Sequence, residues 1–150
     1  MTFRLSSDMP FKAGAWLKSL AGILSRRFKL RRDISVVLVD SRTMAKLNLT
    51  YRGKPGPTDV LSFPLTDSII KGGLAGEIFI CLPILRAEAK KRQHSLEQEF
   101  KILLVHGCLH ILGYDHHQPR KASIMHALES ELLTQVGANS GFKRQRKIKK

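Results

Sequence analysis

The sequence ISVVLVD at residues 34–40 decides the fold class. Residues 34–39 are mostly β-branched and apolar on both alternating faces, which is typical of a strand in the middle of a sheet. Two further short apolar stretches, at residues 60–63 and 77–82, are also predicted to be strands. A sheet whose central strand is apolar on both sides must be covered, so helices are expected to pack around it.

Helical patterns lie before, between and after these strands. In the first of them, side chains at helical spacing predict a buried face formed by Trp16, Leu17, Leu20, Ile23 and Leu24. Capping residues and prolines predict helix starts at Asp8, at Asp40 or Ser41, at Pro83, at Ser95 and near Lys121. GKPGP at residues 53–57 and a polar segment ending in Gly72 and Gly73 are predicted loops. We therefore predict an α+β fold, a small mixed β-sheet packed by about five helices in a single domain.

The C-terminal end differs in composition from the rest of the chain. FKRQRKIKK, residues 142–150, contains six Lys or Arg and too little apolar surface to fold. We therefore assign residues 1–141 to the folded domain and residues 142–150 to a basic, disordered tail.

The charge of the chain favours a polyanionic partner. Lys and Arg total 26 against 12 Asp and Glu, which gives a formal net charge of +14. Each phosphate that a basic side chain neutralises releases counterions and adds affinity, so a nucleic acid is the expected partner. The sequence shows neither a basic amphipathic helix nor an apolar stretch of ~20 residues, so it does not indicate a membrane as the partner. With only Cys81 and Cys108 and no leader pattern, a cytoplasmic location is expected.

His106, His110 and His116 are predicted to bind one zinc ion. They lie in HGCLHILGYDH, residues 106–116. His106 and His110 are four residues apart on a predicted helix, so both rings project from one face. Gly113 accepts the positive φ of a chain reversal, which can bring His116 back over that face. Three imidazoles suit zinc and leave a fourth position for water, as catalytic sites do.

Other residues near this segment have competing interpretations. His117 is an alternative third ligand, because adjacency alone does not exclude it. Cys108 should point away from the histidines, into the core. His94 and His126 are isolated, and isolated histidines are more often exposed or hydrogen-bonded than metal ligands.

The spacing is close to the zinc-peptidase pattern H-E-x-x-H-x-x-G-x-x-H, with one change. Gly107 occupies the position of the peptidase glutamate, and glycine cannot take a proton from metal-bound water. The metal-bound water is therefore expected to attack a different electrophile, such as a phosphodiester. Asp115 is a candidate catalytic residue, as a base or as the partner of a ligand histidine. Capping the turn is an equally good interpretation of Asp115.

Three segments carry a resemblance to a known family: LNLTYRGKPGPTDVLSFP at 47–64, GEIFIC at 76–81 and VHGCLHILGYDHH at 105–117. Together they resemble the YbeY-type endoribonucleases, metalloproteins of bacterial ribosomal RNA maturation. The resemblance spans residues 34–136. It implies a mixed α+β fold, a metal on the three histidines, and cleavage of single-stranded RNA.

The resemblance also implies a biological role. The substrates would be the 3′ end of small-subunit ribosomal RNA and the RNA of defective ribosomes. The implied partners are the ribosome, a ribosomal protein and a ribosome-assembly GTPase.

Arg52 is the second candidate catalytic residue, because it matches the arginine of the YR pair in the family's pattern. A guanidinium near the metal could hold a phosphate by two hydrogen bonds and stabilise the charge that builds on it. The competing interpretation is an interaction with the end of its helix. Lys54, Thr58 and Asp59 could shape the same groove or serve the loop alone. Glu77 stands where the family usually has Asp, and we expect a small effect.

Two other functions share part of this pattern. A non-catalytic RNA-binding assembly factor with a structural metal would share the charge, and it predicts a closed site with four ligands. A zinc-dependent peptidase would share the three histidines, and it would need a replacement for the missing glutamate.

Overall fold

The computed structural model describes residues 1–65 and 73–138. The predicted tail at 142–150, the domain boundary at 141 and most of the predicted loop before Gly73 lie outside these residues. The elements in chain order are β1 (Phe3–Ser7), α1 (Trp16–Phe28), β2 (Asp33–Val39), α2 (Ser41–Arg52), β3 (Val60–Pro64), β4 (Leu74–Cys81), α3 (Leu82–Lys91), α4 (Leu96–Ile111) and α5 (Pro119–Gln135).

The strands form one mixed sheet in the order β1-β2-β4-β3. β2 pairs in parallel with β1 on one side and with β4 on the other, so that Val36 lies between Leu5 and Ile78. β3 runs antiparallel to β4. The predicted mixed sheet, the central position of residues 34–39 and the five helices are all confirmed.

The two faces of the sheet bury different sets of side chains. On one face, alternate residues of β2 and β4 are almost fully buried and face four helices, α1, α3, α4 and α5. The main contributors to this larger core are Ile34, Val36, Leu38, Ile78, Ile80, Leu20, Leu24, Leu85, Phe100, Leu103, Met125 and Leu132. On the other face, α2 contributes Met44 to a smaller cluster with Val39, Leu61 and Cys81. The apolar character of β2 on both faces therefore reflects a sheet covered on both sides.

The predicted cap residues begin the middle helices. The Asp40 carboxylate accepts a hydrogen bond from the Thr43 backbone N–H at 2.8 Å, and α2 follows. The Ser95 hydroxyl accepts from the Gln98 backbone N–H at 3.1 Å, which begins α4. Pro83 lies in the first turn of α3, where its missing N–H costs nothing.

The predicted start of the first helix at Asp8 is wrong, because α1 begins at Trp16. Before it, residues 3–7 form β1, an unpredicted edge strand that shows alternate burial. The Ser7 hydroxyl then accepts from the Met9 N–H at 3.1 Å and donates to the Met9 carbonyl at 2.7 Å. This local turn, followed by Pro10, delays α1 until Trp16. The predicted apolar face of α1 is nevertheless present, because Leu20 and Leu24 are fully buried.

No helix in the described part of the chain is both long and apolar enough to cross a membrane.

Candidate metal centre

The second half of α4 carries two of the three predicted ligands, His106 and His110, on the one side of the helix that is not fully buried. Between residues 99 and 111, every side chain is buried except those of His106 and His110, which are half-buried. Packing therefore fixes the rotation of α4 and aims both imidazoles out of the core. The sequence dictates this arrangement, since the two histidines are one helical turn apart within an apolar segment.

The chain reverses directly after α4. Gly113 has φ 99°, as predicted, and the Tyr114 N–H donates to the Leu109 carbonyl at 2.9 Å. This hydrogen bond satisfies a carbonyl at the helix end, as left-handed helix caps do. The reversal brings His116 back, with its ring centroid 5.8 Å from that of His106.

The three predicted histidines converge on one point. Nε2 of His106 and Nε2 of His110 are 3.0 Å apart. His116 joins them, and each of the three rings offers a nitrogen within 4.8 Å of the others. Two nitrogens bound tetrahedrally to one zinc ion at its usual bond length are about 3.3 Å apart. The spacing and the all-imidazole donor set therefore fit a zinc ion, with small side-chain adjustments.

Glu129 is a site residue that the sequence analysis missed. It lies in α5, is 5% exposed, and has a carboxylate oxygen 3.0 Å from His106 Nδ1. A carboxylate only accepts hydrogen bonds, so Nδ1 of His106 is the donor, and Nε2 is the ring nitrogen that faces His110. A carboxylate behind a ligand histidine fixes the ring and strengthens it as a donor. Glu129 is therefore placed to prepare His106 for metal binding.

Glu129→Gln should weaken zinc binding by at least about tenfold, since replacing the partner of a ligand histidine costs 10- to 100-fold in metal affinity. The substitution keeps the size of the side chain and removes its charge. Titration against a competing chelator measures the affinity. Glu131→Gln is the matched control, because Glu131 lies on the same helix but pairs with Arg27. Equal zinc affinity of both variants and the parent would contradict this role.

Gly107 has no room for a side chain. A Cβ at this position would lie 2.9 Å from Ser62 Oγ and 3.0 Å from Ile78 Cδ1. Glycine thus lets α4 lie directly against β3 and β4. A glutamate at position 107 would require Ser62 and Ile78 to move, so the close packing of α4 favours the glycine that the peptidase interpretation cannot use as a general base.

Asp115 and His117 occupy the turn after Gly113. The Asp115 carboxylate accepts from the His117 backbone N–H at 3.1 Å, which is the turn-capping role. Its second oxygen is 3.9 Å from Lys121 Nζ. The catalytic role of Asp115 stays a prediction. His117 is exposed, and the three-histidine group found among the described residues contains His116 instead.

Arg52 lies beside the histidines, although it ends a helix on the other face of the sheet. Its Nη2 donates to the Ser62 carbonyl of β3 at 2.9 Å, and its guanidinium carbon lies 5.0 Å from the centre of the Phe63 ring. These contacts carry the side chain across the edge of β3. Here it lines a surface groove, called the site groove, together with Val60, Leu61, Ser62, Pro64, His106, His110 and His117.

The remaining candidates of the 53–59 loop have local contacts. The Asp59 carboxylate accepts from the Val60 N–H at 2.8 Å and lies 3.4 Å from the Thr58 hydroxyl. Lys54 is exposed. None of Lys54, Thr58 and Asp59 is among the residues that line the site groove in the described part of the chain.

The other histidine and cysteine candidates lie apart from the centre. His94 Nε2 is 2.8 Å from a carboxylate oxygen of the buried Glu99, so the hydrogen-bonded interpretation of His94 is confirmed. His126 is half-buried in α5 and outside the three-histidine group. Cys108 is fully buried, as predicted, and burial raises the pKa of its thiol far above the ordinary value.

Two sequence comparisons agree on one family, and one solved structure has a similar fold. Residues 6–137 match the sequence profile described as Endoribonuclease YbeY. A curated Endoribonuclease YbeY from Pseudomonas putida is 38% identical over 134 residues, covering 88% of this chain and 85% of that protein. The solution structure of TM1509 from Thermotoga maritima is similar, with a TM-score of 0.61 and 28% identity. The alignment covers 97% of this chain and 93% of that one.

Proposed function

The chain belongs to the YbeY endoribonuclease family, and from this premise we propose that it cuts single-stranded RNA with a metal ion held by His106, His110 and His116. The observation that carries the proposal is the arrangement of the site groove. His106 and His110 of the three-histidine group line it on one side, and the Arg52 guanidinium lines it as well. A phosphodiester in this groove would meet a metal site and a fixed positive charge together.

The residues of the site have distinct roles in this proposal. When bound, zinc would polarise the phosphate and lower the pKa of a coordinated water towards neutrality, which supplies the nucleophile. His106, His110 and His116 hold the ion, and Glu129 keeps the Nδ1 proton of His106 in place. Arg52 binds the scissile phosphate and stabilises the negative charge that develops on it. Asp115 remains our candidate for moving a proton at the attacking water.

The proposed substrate is ribosomal. We infer that the enzyme trims the 3′ end of small-subunit ribosomal RNA and degrades the RNA of defective ribosomes in the cytoplasm. The ribosome, a ribosomal protein and a ribosome-assembly GTPase are the proposed partners. The net charge of +14 supports an RNA partner, because phosphate contacts supply most of the non-specific affinity. The basic segment at 142–150 would add such contacts.

Metal removal should lower cleavage of a single-stranded RNA by at least about 1,000-fold, since the bound ion contributes several kcal/mol to the transition state. The full chain is dialysed against a chelator, its zinc content is measured, and cleavage is compared before and after. One equivalent of zinc per chain should restore the rate. A duplex of the same sequence is the control substrate and should be cut slowly in every sample.

The same experiment tests the non-catalytic alternative. An assembly factor with a structural metal would bind RNA without cutting it, and metal loss would lower its melting temperature. Cleavage that persists at full rate in zinc-free, correctly folded protein would contradict the proposed function.

A further inference from the structure

Tyr51 is an aromatic residue at the surface of the protein, and most of it is exposed to solvent. Its side chain is 62% exposed. The sequence places Tyr51 on the same helical face as Met44, which is fully buried, so its exposure is unexpected. The last turn of α2 contacts Phe63 and Ser62 of β3, the edge strand of the sheet, and leaves most of Tyr51 exposed.

The Tyr51 ring is held in position from one side. It packs edge to face against Phe63 with the ring centroids 5.3 Å apart. Phe63 in turn packs edge to face against Phe79 at 5.8 Å. A tyrosine supported in this way presents a rigid aromatic surface, and little conformational entropy is lost when a ligand covers it.

This aromatic surface lies next to the site groove. Arg52 follows Tyr51 in the chain, and its guanidinium carbon lies 5.0 Å from the centre of the same Phe63 ring. Ser62 and Pro64, the neighbours of Phe63 in β3, line the groove with Arg52. If Arg52 binds the phosphate of one nucleotide, the base of the adjacent nucleotide would therefore lie within reach of Tyr51.

We propose that Tyr51 is a base-stacking platform that binds the nucleotide adjacent to the scissile phosphate. This inference rests on the proposed function and deepens it by assigning a substrate-binding residue. Bases of single-stranded RNA are free to stack on aromatic rings, whereas bases in a duplex are already stacked. Because every base has a π face, the contact favours single strands without selecting a sequence. Tyr51 thus gives a physical basis for single-strand preference.

The exposed surface of α2 also contains Leu49, which is 60% exposed. An exposed Leu and Tyr on one helix could instead contact a protein. The position of Tyr51 beside Arg52 favours RNA, and Leu49 provides the control that separates the two. A stacking contact requires an aromatic ring and is lost only at Tyr51, while a general apolar contact would depend on both side chains.

Tyr51→Ala should weaken binding of a short single-stranded RNA by about tenfold, as expected when a stacking aromatic is replaced by alanine. The probe is an RNA oligonucleotide containing 2-aminopurine, whose fluorescence is quenched on stacking. It is titrated with the zinc-loaded full chain on ice, and melting temperatures verify folding. The quenching should be lost in Tyr51→Ala and retained in Tyr51→Phe and Leu49→Ala.

Two results would overturn the stacking role. One is unchanged affinity and quenching in Tyr51→Ala. The other is an equal loss of affinity in Leu49→Ala, which would indicate a general apolar contact. The fluorescence measurement does not depend on cleavage, so it remains informative if the metal-dependent activity fails its own test. Conversely, if Tyr51→Ala loses the quenching but cleaves RNA at the parent rate when the protein is saturating, the proposed function is unaffected.

Discussion

His110→Ala should leave the purified protein with almost no zinc and lower RNA cleavage by at least about 1,000-fold, because the metal contributes several kcal/mol to the transition state. His110 is central to the group, with its Nε2 3.0 Å from His106 Nε2. Two remaining imidazoles would bind zinc weakly, since catalytic sites normally use three protein ligands. Elemental analysis of zinc and single-turnover cleavage measure the two effects.

The control for this prediction is His117→Ala. His117 directly follows His116, so the sequence leaves it as an alternative third ligand, and it is exposed in the structure. This variant should retain one zinc ion per chain. Full zinc occupancy in His110→Ala would contradict the assignment, and zinc loss in His117→Ala with retention in His116→Ala would exchange the third ligand. Alanine is the best helix former, so the His110 variant should keep its fold, which a melting curve verifies.

The fold was predictable where local pattern and tertiary environment agree. Residues 34–39 are apolar on both faces, and β2 lies in the middle of a sheet covered on both sides. Ser95 caps α4 and Gly113 takes a positive φ after it, as the residue types require. These features depend on a few neighbouring residues, so the sequence alone specifies them.

β1 could not be predicted in the same way, because its stability comes from a distant partner. FRLSS is short, contains two serines and an arginine, and forms a strand only by pairing with β2. The Asp33 carboxylate accepts hydrogen bonds from the Thr2 N–H at 2.7 Å and from Arg4 Nε at 2.9 Å. These contacts span about 30 residues of chain and leave no periodic signal in the sequence.

The site was only partly predictable for a similar reason. The histidine group follows from helical spacing and a glycine, but Glu129 acts across the contact between α4 and α5. One signal was present: Glu129 lies on the face of α5 that buries Met125, Leu132 and Leu133. A carboxylate at a core position needs a hydrogen-bonding partner, and a histidine on the facing helix is a suitable one.

Arg52→Ala should lower single-turnover cleavage by about 100-fold, comparable to the loss of one donor that stabilises transition-state charge. The Arg52 side chain is exposed, and its contacts are one hydrogen bond to the Ser62 carbonyl and the Phe63 ring. Losing one such hydrogen bond costs about 1 kcal/mol, which for a chain of this size lowers the melting temperature by about 2–4 °C. Cleavage should therefore fall far more than stability.

The matched control is Arg26→Ala, which removes the same charge from the last turn of α1. Arg26 and Arg52 are both exposed and both lie in the last turn of a helix, but Arg26 does not line the site groove. Any effect of net charge or of the helix dipole should therefore appear equally in both variants. Arg52→Lys separates charge from geometry, because a lysine keeps the charge and loses the paired N–H donors that match a phosphate. We expect Arg52→Lys to cleave at an intermediate rate. If Arg52→Ala and Arg26→Ala cleave equally well, Arg52 serves only its helix, and the phosphate must be bound by the metal alone.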